Sequence, residues 1–222
     1  MSLICACPAA AAITTIPNVA CPENFGQIQK VAFQRLTQSD GTPNSITGST
    51  GTTSPVENIK LKATWTALLA ATNGTKVVVS PYINAPADSG GDARMTSGGN
   101  DDLGGIAQVL GGNPVQFDGQ LRSVPQSVIK IMKELMCEAQ AGNLGVYLFD
   151  ENGKIQCRKD AVAASTYYPI PVRGLFIGSL IHGNFDAKDS NAISWQYPDN
   201  YSDDLVIVTP SDFNPLTELI PA

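Results

Sequence analysis

The sequence predicts a mainly β protein, an antiparallel β-sandwich or barrel with one main flanking α-helix at about residues 124–141. Two observations predict this fold class. A sustained helical period of apolar residues occurs in that stretch, whereas the other apolar residues fall in short alternating or β-branched runs. Glycine (20 residues) and proline (15 residues) are plentiful between those runs and indicate many turns. A helix that covers a sheet buries the apolar faces of both elements.

The helix is predicted by its apolar spacing and by signals at both ends. Ser123 and Gln126 stand three residues apart, which is the spacing of a capping box. Pro125 fits a first helical turn, and Gly142 supplies the left-handed residue that commonly ends a helix. The predicted buried face consists of Val128, Ile131, Met132, Leu135, Met136 and Ala139.

A β-hairpin is predicted directly after the helix. Leu144 to Phe149 is a continuous apolar run of strand length. Asn152-Gly153 is the dipeptide that favours a type I′ turn, in which both central residues have positive φ, and Lys154 to Arg158 provides the returning strand. This hairpin gives the helix a sheet to cover.

The remaining elements are predicted from short apolar runs. In the stretch 59–71, the two-residue alternation from Ile59 to Thr66 fits a half-buried strand, whereas a short helix over Trp65–Ala71 is the favoured interpretation. Gly174 and Gly178 predict bends or close packing within a long strand. Strands are predicted over Gln29–Leu36, Lys76–Ile83, Val115–Leu121, Ile170–Ile181, Ile193–Tyr197 and Leu205–Thr209, followed by an extended tail, Pro210–Ala222.

Residues 1–24 are predicted to be an extended N-terminal arm, and residues 25–222 a single domain. Three prolines prevent a continuous helix in this apolar, alanine-rich arm. Val19-Ala20-Cys21 partly matches a lipoprotein cleavage site, but no Lys or Arg precedes the apolar run. We therefore expect the arm to be retained in the mature protein. Because no apolar run reaches the length of a membrane span, we expect a soluble chain without a membrane anchor.

Residues 86–113 are predicted to form a long loop, in which glycines occur as four adjacent pairs. Such a segment cannot form a core of its own, and long loops in compact domains are commonly functional. The loop lacks the glycine patterns that cradle phosphates, so nucleotide binding is not expected. We expect the loop and the arm to contact neighbouring copies of the chain. The candidate interface residues are Leu3, Ile4, Ile13, Ile16, Gly90, Gly91, Gly98, Gly99, Leu103, Ile106, Val109 and Leu110.

Charge and reactive side chains argue against a nucleic-acid-binding protein and against an enzyme. The net charge is −6 and the pI is about 4.7. A protein that grips phosphates needs clustered Lys and Arg, and no such cluster is present. His182 is the single histidine, and no nucleophile-elbow pattern surrounds a serine, so we expect His182 to be structural. We expect no catalytic residues and no cofactor.

The five cysteines form an odd count without framework spacing. Cys137, on the predicted helix, and Cys157, on a predicted strand, are expected to be buried, reduced packing residues. Cys5, Cys7 and Cys21 lack the second close pair or the histidine that zinc sites usually add. We therefore expect no metal site in the arm.

Four segments of the C-terminal half carry a resemblance to a known family. They are LGVYLFDENGKI (144–155), VRGLFIG (172–178), ISWQYPDNYSDDL (193–205) and VTPSDFNP (208–215). Together they resemble virion proteins of tailed bacteriophages, and among these the tail tube (major tail) protein. The resemblance implies a β-sandwich flanked by one helix and assembled into rings, commonly hexameric. The inner strands of each ring would join into a barrel around a lumen, and the rings would stack through a long loop and terminal arms.

The same resemblance implies the partners and the location of the chain. The partners would be further copies of this chain and other tail proteins of the virion. DNA would pass through the lumen only transiently and without specific binding, since an acidic lumen offers no phosphate contacts. The protein would be made in the host cytoplasm and would reside in the virion.

Two other classes of protein fit the same sequence features. A capsid or decoration protein of a phage would use a similar sandwich and similar arms. A surface-anchored lipoprotein or adhesin module would require Cys21 to be the lipid-bearing first residue of the mature chain.

Overall fold

Antiparallel β-strands form the frame of the chain. The computed structural model describes residues 16–19, 23–48, 57–101, 103–160 and 165–220. Its strands are β1 (Ile28–Arg35), β2 (Ile46–Thr47), β3 (Val77–Val79), β4 (Asn84–Gly90), β5 (Ala93–Met95), β6 (Val109–Gly112), β7 (Val115–Arg122), β8 (Leu144–Asp150), β9 (Ile155–Lys159), β10 (Thr166–Tyr168), β11 (Ile170–Ile177), β12 (Ser190–Gln196) and β13 (Leu205–Val208). Its helices are α1 (Lys62–Ala70) and α2 (Gln126–Gln140), with short 3-10 turns at Asn58–Lys60, Gly99–Asp101 and Leu103–Gly105. The predicted fold class, mainly β with one main helix, is confirmed.

Most of the strands lie in two layers that share β11. One layer has the strand order β2-β10-β9-β8-β1-β3, and β13 also pairs with β9. The other layer has the order β11-β12-β7-β4. β11 pairs with β8 through Ile170–Val172 and with β12 through Arg173–Ile177. Gly174, at φ +60°, lies at a register shift within the pairing of β11 with β12, where the sequence predicted a bend. The close packing predicted at Gly178 is also present, because a Cβ there would stand 3.3 Å from the Ala192 side chain.

The first hydrophobic core lies between the two layers. Trp195 of β12 stacks on Phe117 of β7, with ring centroids 3.9 Å apart. It also meets Phe33 of β1, in the opposite layer, edge to face at 6.1 Å. α2 packs on β11 and β8 and adds Ile129, Met132 and Ala139 to this core.

The second hydrophobic core lies on the other face of β1 and β8. Tyr147 and Phe149 belong to it, whereas Val146 and Leu148 belong to the first core. Trp65 of α1 covers this second core, with its ring centroid 5.1 Å from that of Tyr147 and 5.7 Å from that of Phe149. Every residue of β8 is buried. A strand buried on both faces is what its continuous apolar run predicted.

The two ends of α2 compare differently with the prediction. The predicted capping box is absent, because Ser123 has φ +55° and Pro125 occupies the N-cap position without a side-chain cap. Gln126 instead donates a hydrogen bond from its side-chain amide to Asn191 Oδ1, at 3.1 Å. The C-terminal end is as predicted, since Gly142 has φ +71°.

The buried face of α2 is rotated from the predicted one. Ile129 is buried although it lay outside the predicted face, and Ile131 is 63 % exposed. Val128 is exposed as well. The apolar arc of this helix is wider than the surface that β11 and β8 cover, so packing selects only part of it. Cys137 is exposed rather than buried, whereas Cys157 is buried as predicted.

The turn between β8 and β9 is not the predicted type I′ turn. Asp150 N–H donates to Lys154 O at 3.1 Å, which leaves three residues in the turn. Gly153 has φ +75°, whereas Asn152 is not among the residues with positive φ. A three-residue hairpin turn places its single left-handed residue at the third position. The hairpin itself was predicted correctly, and only the number of turn residues differs.

The stretch 59–71 contains a helix, the favoured interpretation, but α1 begins at Lys62 rather than at Trp65. The predicted extended tail instead turns back onto its own domain. Leu216 and Leu219 are buried in the second core, and Lys30 Nζ donates to Leu216 O at 2.6 Å. Two leucines in a proline-punctuated tail therefore act as core residues.

Several strand boundaries differ from the prediction. The strand predicted over Lys76–Ile83 is limited to β3. After residues 80–83 the chain forms β4, most of which lies in the segment predicted to be a loop. The strand predicted over Ile170–Ile181 ends at Ile177. β2 and β10 were not predicted, because each is too short to show a periodic pattern.

Candidate functional site

The predicted loop 86–113 contains a two-stranded antiparallel ribbon, which we call the β5–β6 ribbon. Ala93 pairs with Gly112 and Met95 with Val109. Beyond the strands, Thr96 N–H donates to Gln108 O at 2.9 Å. At the base of the ribbon, Asn113 N–H donates to Asp92 O at 2.8 Å. The predicted long loop therefore contains short strands, because backbone pairing orders a segment whose side chains show no strand pattern.

Two candidate glycines set the direction of the ribbon. Gly90 has φ +92° and Gly91 has φ +83°. A Cβ at Gly90 would lie 2.5 Å from the backbone oxygen of Pro114, so this crossing from β4 to β5 needs glycine. The pair Gly98-Gly99 also has positive φ, at the start of the turns that join β5 to β6. These four candidate residues shape the ribbon and offer no side chain for contact.

The apolar side chains of the ribbon face outward. The exposed fractions of four of them lie between 55 % and 72 %; they belong to Met95, Ile106, Val109 and Leu110. Leu103 starts the short turn Leu103–Gly105 in the same excursion. A two-stranded ribbon has no second layer on which to bury such groups. The structure thus brings the predicted residues Ile106, Val109 and Leu110 together on one protruding element.

Met95 is the member of this set that the sequence analysis missed. It follows Ala93 and Arg94, and one apolar residue in a short polar stretch carries no periodic signal. Its partner across the ribbon is Val109, which lies 14 residues later in the sequence (109 − 95). The pairing of the two strands is therefore the information that identifies Met95.

The candidate residues of the N-terminal arm are placed only in part. Ile16 is exposed, as is Val19, in the extended piece 16–19. Leu3, Ile4 and Ile13 lie outside the described residues, as do Cys5, Cys7 and Cys21. The predictions made for the arm as an interface therefore stay predictions.

The edge strand β4 carries an acidic residue on the same face of the sheet as a buried residue of β7, although its own side chain is exposed. Asp88 pairs with Phe117 of β7, and cross-strand partners share one face of a sheet. Burial raises the pKa of the Asp88 carboxyl above its ordinary value, and the nearby Asp118 carboxylate adds to this rise. A charge on an edge strand is a known way to discourage uncontrolled pairing of sheet edges.

The groups considered for catalysis are dispersed. His182 is exposed, with Nδ1 3.6 Å from Asp189 Oδ2, and it borders an open groove of about 850 Å³. Burial raises the pKa of the Cys157 thiol far above its ordinary value. Within the described ranges, no three His, Cys, Asp or Glu side chains converge as metal ligands would. No helix of the described chain has the length and apolarity that a membrane span needs.

Comparisons with known proteins leave the family open. No protein-family model matches the chain, and no curated protein matches it in sequence. A chain from the tail of an empty GTA (gene transfer agent) particle, refined with C6 symmetry, is 9 % identical, with a TM-score of 0.30 over 60 % of this chain and 88 % of that one. A likeness at this score carries no argument about function.

Proposed function

We propose that this protein is a structural subunit of a phage-like tail, and that copies of it assemble into rings that stack into a tube for DNA. The resemblance of the C-terminal half to tail tube proteins suggests this role. The observation that carries it is the protruding β5–β6 ribbon with its exposed apolar residues. In this proposal the chain has neither a catalytic role nor a cofactor.

The ribbon favours a role in assembly because it has no structural task in its own domain. Its four exposed apolar side chains add nothing to either core, and they stand together on one element. Clustered exposed apolar groups typically mark an interaction surface. Glycines at its base, such as Gly90, hold the ribbon in one direction. A preformed element of this kind loses little conformational entropy when it docks on a neighbour.

Free sheet edges offer a second means of association between copies. β4 ends the β11-β12-β7-β4 layer, and β13 pairs with β9 among the described strands. An unpaired edge presents backbone donors and acceptors to another chain. Pairing of such edges around a ring would satisfy these groups and would favour a closed assembly.

The charge of the chain suits a conduit for DNA. Each copy carries a net charge of −6, and a ring multiplies that charge by its number of copies. A wall with excess negative charge repels phosphates and holds no DNA by ion pairing. DNA would therefore pass without specific binding.

Removal of the ribbon tests the proposal. Asp92 O and Asn113 N are hydrogen-bonded at 2.8 Å, so a Gly-Gly link can replace residues 93–112 without moving the rest of the chain. The purified full chain and the shortened chain would be compared by sedimentation velocity and negative-stain microscopy. We expect rings or tubes from the full chain and monomers with unchanged thermal unfolding from the shortened chain. Tubes from the shortened chain, or only monomers from the full chain at high concentration, would refute the proposal.

A further inference from the structure

A rigid loop between β11 and β12 presents one fully exposed aromatic side chain. This loop, residues 181–190, is the Phe185 loop. Ile181 and Ser190 close it through two backbone hydrogen bonds, of 2.8 and 3.0 Å. Phe185 at its tip has an exposed fraction of 103 %. A large aromatic ring held in water gains free energy when a partner buries it.

Bonds inside the loop hold the backbone that carries that ring. Ala187 N–H donates to Asn184 O at 3.2 Å, which makes Phe185 the second residue of a four-residue turn. Gly183 N–H donates to Asp189 Oδ1 at 2.8 Å. A Cβ at Gly183 would stand 1.9 Å from Ala187 O, so the loop depends on glycine there. The backbone therefore fixes the point from which the ring projects before any partner arrives.

An open pocket with several prolines in its lining lies at the other end of β11. This proline pocket, of about 620 Å³, is lined by Leu36, Pro43, Tyr168, Pro169 and Pro171, among others. Its volume lies within the range that admits a ring together with its flanking residues. β11 runs from Ile170, beside the pocket, to Ile177, before the loop, a length of roughly 23 Å at strand spacing.

Charges of both signs flank the ring and border the pocket, so opposite charges of two copies can be paired. Asp186 follows Phe185 directly, and Lys188 lies two residues further on. Arg158 borders the pocket, with its guanidinium 5.5 Å from the centroid of Tyr168, and Lys159, Asp160 and Asp204 border it as well. Opposite charges around a buried aromatic anchor select the orientation of a partner.

We propose that Phe185 of one copy inserts into the proline pocket of a second copy, with Asp186 facing Arg158. The loop and the pocket lie at opposite ends of one strand, so the contact is head-to-tail and repeats from copy to copy. This contact rests on the self-assembly proposed above and identifies one surface that carries it, distinct from the β5–β6 ribbon.

Photo-crosslinking tests the contact in the full chain. Benzoylphenylalanine placed at position 185 would be irradiated in assemblies that mix unlabelled and ¹⁵N-labelled copies. We expect crosslinks between copies to peptides that contain Pro43 or Pro171. If assemblies form but the crosslinks lie elsewhere or within one chain, the contact is overturned and the proposed function stands. If microscopy shows no assembly at all, both are overturned.

Substitutions give an independent readout. Phe185→Ser is expected to weaken self-association at least tenfold without changing thermal unfolding, because the ring touches nothing in its own chain. Phe176→Ser, at a half-exposed ring on β11, is the matched control and is expected to have no effect. Asp186→Lys and Arg158→Glu should each weaken association, and the double variant should recover it. Equal effects of Phe185→Ser and Phe176→Ser, or no recovery in the double variant, would overturn the contact.

Discussion

β8 and the β5–β6 ribbon are opposites within one chain. Every residue of β8 is buried, with Val146 facing one core and Tyr147 the other. The ribbon pairs its two strands with each other, and its apolar residues remain exposed. Burial of apolar area is the main source of folding free energy. The difference indicates that β8 stabilises the domain, whereas the ribbon contributes to association between copies.

The largest expected effect on stability is that of a truncation in β8. Phe149→Ala removes a fully buried ring that packs against Trp65. We expect a loss of about 3–5 kcal/mol in the free energy of unfolding, since the cavity cannot refill. Denaturant unfolding would measure it. Leu110→Ala in the ribbon is the control, with an expected change within about 0.5 kcal/mol. Similar losses from both variants would remove the distinction between the two regions.

Substitution in the ribbon should affect assembly and not folding. We expect Val109→Ser combined with Leu110→Ser to weaken self-association at least 100-fold, because two exposed apolar anchors are lost. Sedimentation equilibrium would measure the association, and thermal unfolding of the monomer should not change. Ile131→Ser on α2 is the control, since that side chain is equally exposed on another surface. Normal assembly of the ribbon variant would contradict the role of the ribbon.

A smaller effect on the free energy of unfolding is expected from loss of the buried Tyr147 hydroxyl of β8. The Tyr147 hydroxyl donates to Gln34 Oε1 at 3.0 Å, and both side chains are buried. Tyr147→Phe leaves that acceptor without its donor, so we expect a loss of about 1–2 kcal/mol in the free energy of unfolding. Tyr168→Phe, on a half-buried ring, is the control and should cost less than about 0.5 kcal/mol. An unchanged Tyr147→Phe variant would show that the hydroxyl is satisfied in another way.

The smallest expected effect concerns the pH dependence of stability at Asp88. Its pKa is raised in the folded state, so the folded protein loses stability as pH rises from the ordinary carboxyl value through the raised one. Asp88→Asn removes this cost and should raise the melting temperature at pH 7 by about 1 °C or less, because solvent screens a half-exposed group. At pH 3 the carboxyl is protonated, and the variant should melt like the native chain. A higher melting temperature of the variant at pH 3 but not at pH 7 would contradict a raised pKa of Asp88.

The sequence alone determined the elements whose signals are local. The bounds of β1 and β7 agree with the prediction to within one residue, and β8 was predicted from its unbroken apolar run. Gly142 and Gly174 were predicted as a helix end and a bend because glycine adopts positive φ without a steric cost. For the candidate site, Ile106, Val109 and Leu110 were named from the sequence as parts of one loop, but the strand pairing within that loop was not predicted.

Only the tertiary structure decided which residues meet across long separations. Ile129 rather than Ile131 is buried on α2. Both lie on the wide apolar surface of the helix, and β11 covers only the side that carries Ile129. Leu216 and Leu219 enter the second core, and Met95 joins Val109, through contacts that no short window of sequence records. Phe185 was overlooked because a lone aromatic residue in a polar turn has no pattern. Local geometry follows from each residue's own backbone preferences, whereas burial depends on what the rest of the chain places against it.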